Sequence, residues 1–343
     1  MKKLLNTLYI TSEMKYLSLD GGNVVIKEDN CEVGRMPLHN LDMIVTFSRL
    51  GASPALLGKC AQENIAIVFL NPNGSFLAKV EGKTRGNVLL RKKQYQVSEN
   101  ESVCVDIAKN IILGKVYNAR WVIERAKRDH SMQVDVERLT KVSTELKNSM
   151  NDIMECGSVD TLRGYEGEAA SRYFSVFDDL ILQQKEDFYF RGRTRRPPLD
   201  NVNALLSFCY TLLTSMMTAA LETVGLDPCV GFMHSDRPGR YSLALDLMEE
   251  LRPALADRFV LRLINKRIVT AKDFVQKEDG AVIMADEARR KVLSEWQQRK
   301  QDEITHPYLK EKMQWGMIPF AQAMLLARYL RDDIDAYPPF FWK

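Results

Sequence analysis

A run of 21 residues without a charged side chain, Asn201 to Leu221, strongly limits what this chain can fold into. It reads NVNALLSFCYTLLTSMMTAAL, which is long enough to cross a bilayer as one helix. Seven of its residues are Asn, Ser or Thr, and the flanking segments are rich in Arg and Glu without a belt of aromatic residues. We therefore interpret the run as a helix buried on all sides in a large helical domain, not as a membrane span.

The N-terminal part of the chain is instead rich in predicted strands. TLYIT and YLSLDGGNVVIKED are strand-like, and Asp20 to Asn23 (DGGN) is a hairpin turn signal within the second run. NLDMIVTFS and NIAIVFL are predicted buried strands. Between them SPALLGKCAQEN is a predicted helix with Ser53 as its N-cap and Pro54 at its first position. The turn NPNG then leads to a further strand, SFLAKV.

The pattern becomes helical after the polar segment EGKTRGN at 81–87. Apolar periodicity predicts helices at 88–97, 102–129, 134–156, 165–185, 201–224, 242–257, 285–303 and 318–334. The predicted fold class is α+β, with a small β-strand-rich N-terminal domain followed by a large all-α-helical C-terminal domain. The expected boundaries are 1–82 for the first domain, 83–100 for a linker and first helix, and 101–343 for the helical domain.

Composition excludes little about the partner but does indicate the compartment. A net charge of +3 permits a nucleic-acid partner only if the positive charge is clustered. The six cysteines are widely spread and none has the spacing of a zinc knuckle or a redox pair, which favours reduced thiols in a cytoplasm. MKKLL resembles the start of a signal peptide, but polar residues follow without a cleavage site.

One predicted helix combines an apolar face with several carboxylates. In HSDRPGRYSLALDLMEELRP, leucines line one face while Asp246, Glu249 and Glu250 gather on the other. Asp246 and Glu249 are three residues apart, so their Cβ atoms are expected about 5–6 Å from each other. Like charges at that distance repel unless a cation or a proton lies between them. The acids therefore either form a solvated outer face or hold a cation.

A second carboxylate, Glu166, lies at the centre of an apolar stripe. In RGYEGEAASRYFSVFDDLI the stripe also contains Ala169, Tyr173 and Phe177, whereas Glu168 points to the opposite side. A buried carboxylate costs several kcal/mol unless it is paired or binds a metal. The alternative is a carboxylate in the first turn of its helix, stabilised by the helix dipole.

His234, one of four histidines, ends the apolar segment GFMH. A lone histidine in such a place is commonly a satisfied core residue. Two carboxylates and one imidazole nevertheless make a plausible divalent-ion site, in which oxygen ligands suit Mg²⁺ and the imidazole shifts preference toward Mn²⁺. Zinc fits less well, since no HExxH motif is present.

Basic clusters suggest a phosphate-containing substrate. FRGRTRRPP contains Arg193, Arg195 and Arg196, and KTRGNVLLRKK supplies five more basic residues between Lys83 and Lys93. Each cluster could equally be a solvated face, and the first could instead pin the central helix to its neighbours.

Together these motifs resemble those of the CRISPR-associated adaptation integrases, the first-numbered CRISPR-associated proteins. GYEGEAASRYF resembles the family's glutamate motif, and RRPPLDNVNALLSFCYTLL the entry to its long central helix. GFMHSDRPGRYSLALDLMEELRP resembles its histidine and acidic motifs, and QAMLLARYLR with YPPFFWK its C-terminal helix and tail. The histidine motif is similar to that of compact, type I-C-like systems.

The resemblance implies a metal-dependent DNA endonuclease and integrase that inserts foreign DNA fragments into a CRISPR array. It implies Glu166, His234 and Glu249 as ligands of Mg²⁺ or Mn²⁺, with Asp246 as a supporting acid or alternative ligand. Arg237 and Arg240, in the intervening loop, could contact phosphate. Such an ion would polarise the phosphodiester and lower the pKa of the attacking hydroxyl.

The resemblance also implies partners. These are double-stranded and branched DNA, a second copy of the chain through the N-terminal domain, and the second-numbered CRISPR-associated protein. The cysteine pattern and the polar residues of the uncharged run predict a location in the cytoplasm without a membrane. Two rival hypotheses are a DNA-binding assembly subunit with a vestigial metal site and a metallohydrolase of small phosphate esters.

Overall fold

The computed structural model describes residues 7–10, 12–41, 43–70, 76–80, 82 and 88–343. Its N-terminal part is built on a four-stranded sheet in the order β1 (Thr7–Ile10), β5 (Met43–Thr46), β6 (Ala66–Leu70), β7 (Phe76–Val80). The first three strands are parallel and β7 is antiparallel to β6. Helix α1 (Pro54–Glu63) makes the crossover from β5 to β6, and its N-cap Ser53 accepts a hydrogen bond from Leu56 N as the sequence predicts.

A three-stranded antiparallel sheet lies in the connection between β1 and β5. It consists of β2 (Tyr16–Asp20), β3 (Asn23–Glu28) and β4 (Cys31–Pro37). The predicted hairpin turn between β2 and β3 is confirmed: Gly21 and Gly22 both have positive φ, which residues without a Cβ adopt at little cost.

The four-stranded sheet is covered on both faces, so its central strands are mostly apolar and β5 is buried along its whole length. On β5, Ile44 faces a small core shared with α1, whereas Val45 on the other face joins the core of the helical part. Beyond β5, Phe47 stacks on Phe208 of the helical part with ring centroids 6.1 Å apart. The β-rich and helical parts therefore share one packed interior.

The rest of the described chain is mostly helical, which confirms the α+β fold class. The helices are α2 (Val88–Ser98), α3 (Glu101–Asp129), α4 (Val136–Glu155), α5 (Val159–Ser175), α6 (Asn201–Val224), α7 (Ser242–Met248), α8 (Arg258–Asn265), α9 (Asp286–Gln301) and α10 (Ile318–Leu330). Two short hairpins that the sequence analysis did not predict interrupt them, β8 (Phe274–Gln276) with β9 (Val282–Met284) and β10 (Glu303–Thr305) with β11 (Lys312–Gln314).

Helix α6 contains the uncharged run and has the length and hydropathy to cross a membrane. In the structure 61% of its most apolar window is buried inside the protein. Its Ser and Thr hydroxyls donate to carbonyls one turn earlier, as Thr211 does to Ser207 O at 3.0 Å, which satisfies them within the helix. These contacts are those of a core helix.

Two helices differ from the sequence predictions in ways that affect the site. Helix α5 ends at Ser175, not at 185, and begins at Val159. The predicted helix 242–257 is α-helical only to Met248, after which a 3-10 turn at Glu249–Leu251 precedes a π-helical segment at Arg252–Asp257. Pro253 explains the change, because a proline removes a backbone donor and crowds the preceding turn. The predicted turn NPNG and most of the 81–87 linker lie outside the described residues.

Candidate active site

Three helical segments bring the predicted site together. Glu166 lies on α5, Glu249 begins the 3-10 turn after α7, and Lys115 of α3 lies between them. The Lys115 ammonium contacts Glu166 Oε1 and lies 2.7 Å from Glu249 Oε2. One cation therefore bridges two carboxylates that would otherwise repel each other.

Glu166 does not lie in the first turn of its helix. Because α5 begins at Val159, Glu166 is about two turns into the helix, and the interpretation as a dipole-stabilised terminal carboxylate is wrong. The apolar stripe is as expected, since Ala169, Tyr173 and Phe177 are buried while Glu168 is exposed and pairs with Arg172.

Glu249 is almost completely buried and is charged. Burial by itself raises the pKa of Glu249, but the positive charges of Arg252 and Lys115, with a smaller effect of nearby His234, lower it to about 2. Arg252 Nη1 lies 2.9 Å from Glu249 Oε1. Among the described residues the other oxygen, Oε2, makes no well-aligned hydrogen bond and pairs with Lys115 alone.

Asp246 holds the histidine loop. Its carboxylate accepts hydrogen bonds from the backbone N–H groups of Phe232, Met233 and His234 at 2.7, 3.0 and 2.9 Å. It also lies 2.6 Å from His234 Nδ1. Gly231 permits this close approach, since a Cβ there would lie 2.8 Å from Asp246 Oδ2.

These contacts decide between the two readings of the acidic motif. Asp246, Glu249 and Glu250 are all buried, so a solvated acidic face is wrong. Asp246 is fully occupied by the loop, whereas Glu249 Oε2 lacks an aligned donor. The geometry therefore favours Glu249 as the ligand and Asp246 as the residue that orients His234 and leaves its Nε2 for another partner.

The donor set fits a divalent cation. Among the described residues no three His, Cys, Asp or Glu groups are close enough together to form a ready metal cluster, because Lys115 separates Glu166 from Glu249. Yet the Lys115 ammonium already lies between the two carboxylates, and Glu249 Oε2 is buried without an aligned hydrogen bond among the described residues. His234, oriented by Asp246, is near enough to lower the pKa of Glu249. Two carboxylates and one imidazole suit Mg²⁺ or Mn²⁺.

A cleft of about 590 Å³ adjoins this site through Arg252. α6 forms one wall, and Val68 and Lys79 of the sheet also line the cleft, with Lys79 paired to Glu222 of α6. Seven basic side chains line the cleft, and no Asp or Glu does so within the part of the chain that the structure describes: Lys79, Arg193, Arg195, Arg196, Arg240, Arg252 and Arg289. A concave surface of this charge attracts phosphates.

The three predicted arginines before α6 differ in their surroundings. Arg193 hydrogen-bonds Asn203 Oδ1 at 2.7 Å and Ser207 Oγ at 3.0 Å, and burial lowers its pKa. It therefore pins the start of α6, through neutral side chains instead of carboxylates. Arg195 and Arg196 are exposed on the cleft wall.

The remaining predicted basic residues are dispersed. Arg240 lines the cleft, whereas Arg237 is exposed outside it. Lys83 and Arg85 lie outside the described residues, and Lys93 pairs with Asp332 at 3.2 Å.

Three residues that contact the site residues or their loop were not predicted from the sequence. Arg252 follows Glu249 by one turn, and Arg163 precedes Glu166 by one turn and donates to Met233 O at 2.8 Å. Both had a signal, namely a basic residue one turn from a predicted ligand. Lys115 had none, because it comes 51 residues before Glu166.

A cation-binding pair of carboxylates, an oriented imidazole and an adjoining basic cleft are what is expected of a protein that processes phosphodiesters. The family model described as CRISPR associated protein Cas1 matches residues 8–298. The chain belongs to the Cas1 family. The compact type I branch stays a prediction.

Individual relatives agree with this membership. The chain is 52% identical to a protein of Rhodospirillum rubrum named CRISPR-associated endonuclease Cas1 2 and 49% identical to one of Chlorobaculum tepidum named CRISPR-associated endonuclease Cas1 1, with 100% of both chains covered in each case. Among solved structures, a CAS1 protein from Thermotoga maritima is 24% identical with a TM-score of 0.80, over 95% of this chain and 97% of that one. A casposase has a TM-score of 0.83 at 23% identity, over 98% and 93%.

Proposed function

We propose that this chain is a metal-dependent DNA endonuclease and integrase that inserts DNA fragments as spacers into a CRISPR array. The observation that carries the proposal is the setting of Glu249, which shares Lys115 with Glu166, pairs with Arg252 of the basic cleft and has its pKa lowered by nearby His234. The names of the two relatives, both endonucleases, support it.

In this proposal Glu166, His234 and Glu249 hold Mg²⁺ or Mn²⁺. The bound ion would polarise a phosphodiester and lower the pKa of an attacking hydroxyl. Asp246 fixes the ring of His234 through Nδ1, and Arg163 fixes the backbone of the same loop. The low pKa of Glu249 keeps its carboxylate charged throughout the physiological range.

The basic cleft would hold the DNA backbone next to this centre. Arg195, Arg196 and Arg240 supply charge along its wall, and Arg252 connects the cleft to Glu249. Contacts of this kind position the nucleic acid without reading its bases. Sequence preference would then come from partners or from DNA shape.

We further propose that the chain acts on double-stranded and branched DNA in the cytoplasm, as a homodimer formed through its N-terminal domain and joined to Cas2. The casposase that shares its fold was solved bound to integration product. Another protein of this fold, with a TM-score of 0.84, is part of a Cas6-RT-Cas1–Cas2 complex, and 36% of that longer chain is covered. Both support the proposed partners by analogy of fold.

Nicking of branched DNA, measured with and without Mn²⁺, tests the proposal. Glu166→Ala should abolish nicking while leaving DNA binding intact, because the variant loses one of three proposed ligands. Glu168→Ala is the matched control, since this exposed glutamate lies two residues away on the same helix. Full activity of Glu166→Ala would contradict the assignment. Turnover of a nitrophenyl phosphate without salt-sensitive DNA binding would instead support a small-ester hydrolase, and DNA binding without any nicking a vestigial site.

A further inference from the structure

The C-terminal tail, Tyr337–Lys343, packs against the 3-10 turn at Glu249–Leu251, which we call the acidic turn. Phe340 N donates to Glu250 Oε2 at 2.8 Å, and the Tyr337 hydroxyl contacts Glu250 Oε1. Gln322 Nε2, from α10, donates to the same Oε1 at 2.9 Å. Glu250 is fully buried, and its carboxylate is held by three donors of which the tail supplies two.

Asn118 connects the tail, the acidic turn and α3. Its Nδ2 donates to Glu250 O at 2.6 Å and to Phe340 O at 2.8 Å, while its Oδ1 accepts from Trp342 N at 2.8 Å. Asn118 lies one turn after Lys115 on the same helix, and residues at that spacing share a helix face. The same part of α3 thus contacts Glu249 through Lys115 and holds the tail through Asn118.

The remaining contacts of the tail show that it is anchored along its length. The guanidinium carbons of Arg125 and Arg258 each lie 4.2 Å from the centroid of the Trp342 ring. Gly114 lets α3 come close, since a Cβ there would lie 3.0 Å from Glu250 Cβ and 3.4 Å from Pro339 Cβ. The match to the family model ends at residue 298, before the tail begins.

We propose that the tail positions the proposed metal ligand Glu249. Its hydrogen bonds to Glu250 fix the rotation of the 3-10 turn and so direct the neighbouring Glu249 toward Glu166 and His234. This rests on the proposed function. Consecutive residues of a 3-10 turn point about 120° apart, because three residues complete a turn. Anchoring Glu250 on the tail side therefore determines where the Glu249 side chain points. Glu250, Tyr337 and Asn118 act through Glu249 and need not touch substrate.

The test is the affinity for Mn²⁺ alone, measured by calorimetry on the full-length chain, alongside thermal stability. Glu250→Gln leaves one acceptor oxygen where two oxygens accept from three donors, and Tyr337→Phe removes one donor to Oε1. We expect the Mn²⁺ affinity to fall about tenfold in Glu250→Gln, as when the support of a metal ligand is lost. The Mn²⁺ affinity of Tyr337→Phe should fall by less. The matched control is Tyr329→Phe, which removes from a partly buried tyrosine a hydroxyl that makes no hydrogen bond within the described residues.

A purely structural role gives a different result. If the tail positions Glu249, excess Mn²⁺ should restore nicking by Glu250→Gln, so that the half-saturating Mn²⁺ concentration changes more than the saturated rate. Mn²⁺ affinities equal to that of the wild type, with or without loss of thermal stability, would overturn the inference. Absence of Mn²⁺ binding by the wild type would instead contradict the proposed function, so the two failures are distinguishable.

Discussion

Lys115 Nζ lies 2.7 Å from Glu249 Oε2 and at the same time contacts Glu166, so one lysine neutralises both proposed carboxylate ligands. A lysine in that position and a divalent ion compete for the same two carboxylates. Replacing Lys115 should therefore change the affinity for the metal ion, which can be measured without an activity assay.

Lys115→Met should change stability and metal affinity in opposite directions. Without added metal, the free energy of unfolding should fall by about 3 kcal/mol, because two carboxylates lose their shared counter-ion. Mn²⁺ affinity should rise on the order of tenfold, the equivalent of about 1.4 kcal/mol of removed competition. Denaturant unfolding and calorimetry measure the two effects. Lys109→Met, on the same helix, is the control. Weaker Mn²⁺ binding in Lys115→Met would mean that Lys115 supports the ion instead of competing with it.

Glu249→Gln and Asp246→Asn should separate binding the ion from holding the loop. Glu249→Gln keeps the side-chain shape but loses the charge, so nicking should fall by about two orders of magnitude. Asp246→Asn weakens the acceptor of three backbone N–H groups and should cost about 2 kcal/mol of stability with a smaller loss of nicking. Initial nicking rates and denaturant unfolding test the pair. The reverse ranking of the nicking rates would make Asp246 the ligand.

The arginines before α6 should divide into two groups. Arg195→Gln with Arg196→Gln should flatten the dependence of DNA affinity on salt by about one unit per lost phosphate contact, with little change in stability. Arg193→Gln should do the opposite, because its guanidinium hydrogen-bonds Asn203 and Ser207. We expect it to destabilise the fold by about 1–2 kcal/mol and leave the salt slope unchanged. An unchanged slope in the double variant would direct the search for DNA contacts to the segment between Lys83 and Lys93.

Asp257→Asn should alter how stability depends on pH. Burial raises the pKa of Asp257 to about 6, although Tyr210 OH donates to it at 2.7 Å and Arg252 is near. The folded protein therefore keeps this proton to a higher pH than the unfolded chain, whose aspartates titrate near 4. Stability from this group is complete below about pH 4 and is lost as pH rises to about 6, by about 3 kcal/mol.

The amide in Asp257→Asn does not titrate, so the variant lacks this pH dependence. The difference in unfolding free energy between wild type and Asp257→Asn, measured in urea at several pH values, should shift in favour of the variant as pH rises through this window. A difference that stays constant from pH 4 to pH 7 would contradict the raised pKa.

The sequence predicted what depends on neighbouring residues along the chain. Hydrophobic periodicity located α6, and the motifs around Glu166 and His234 contain residues that the fold joins to distant partners, Glu166 to Lys115 and His234 to Asp246. Periodicity failed at the end of α5, since Leu180 and Ile181 continue the apolar stripe although the helix has ended. A buried residue that follows a helix can therefore continue the apolar pattern of the helix in the sequence without being helical.

The rest depended on long-range packing. Nothing near Lys115 in sequence indicates that its ammonium meets a carboxylate 51 residues later. Likewise the sequence leaves Asp246 as a possible metal ligand, and only the structure shows that three backbone N–H groups donate to its carboxylate. Pro253, like Arg163 and Arg252, was a local signal, since it marks where regular α-helix stops beside Glu249.

The stacking of Phe47 on Phe208 has a consequence for the cleft. It fastens the sheet that carries Val68 and Lys79 to α6, so both of these lining elements belong to one packed interior. Packed interiors deform little. The width of the cleft is then preset by the fold. Under the proposed function, the cleft would limit the thickness of the nucleic acid that it admits before any base is contacted.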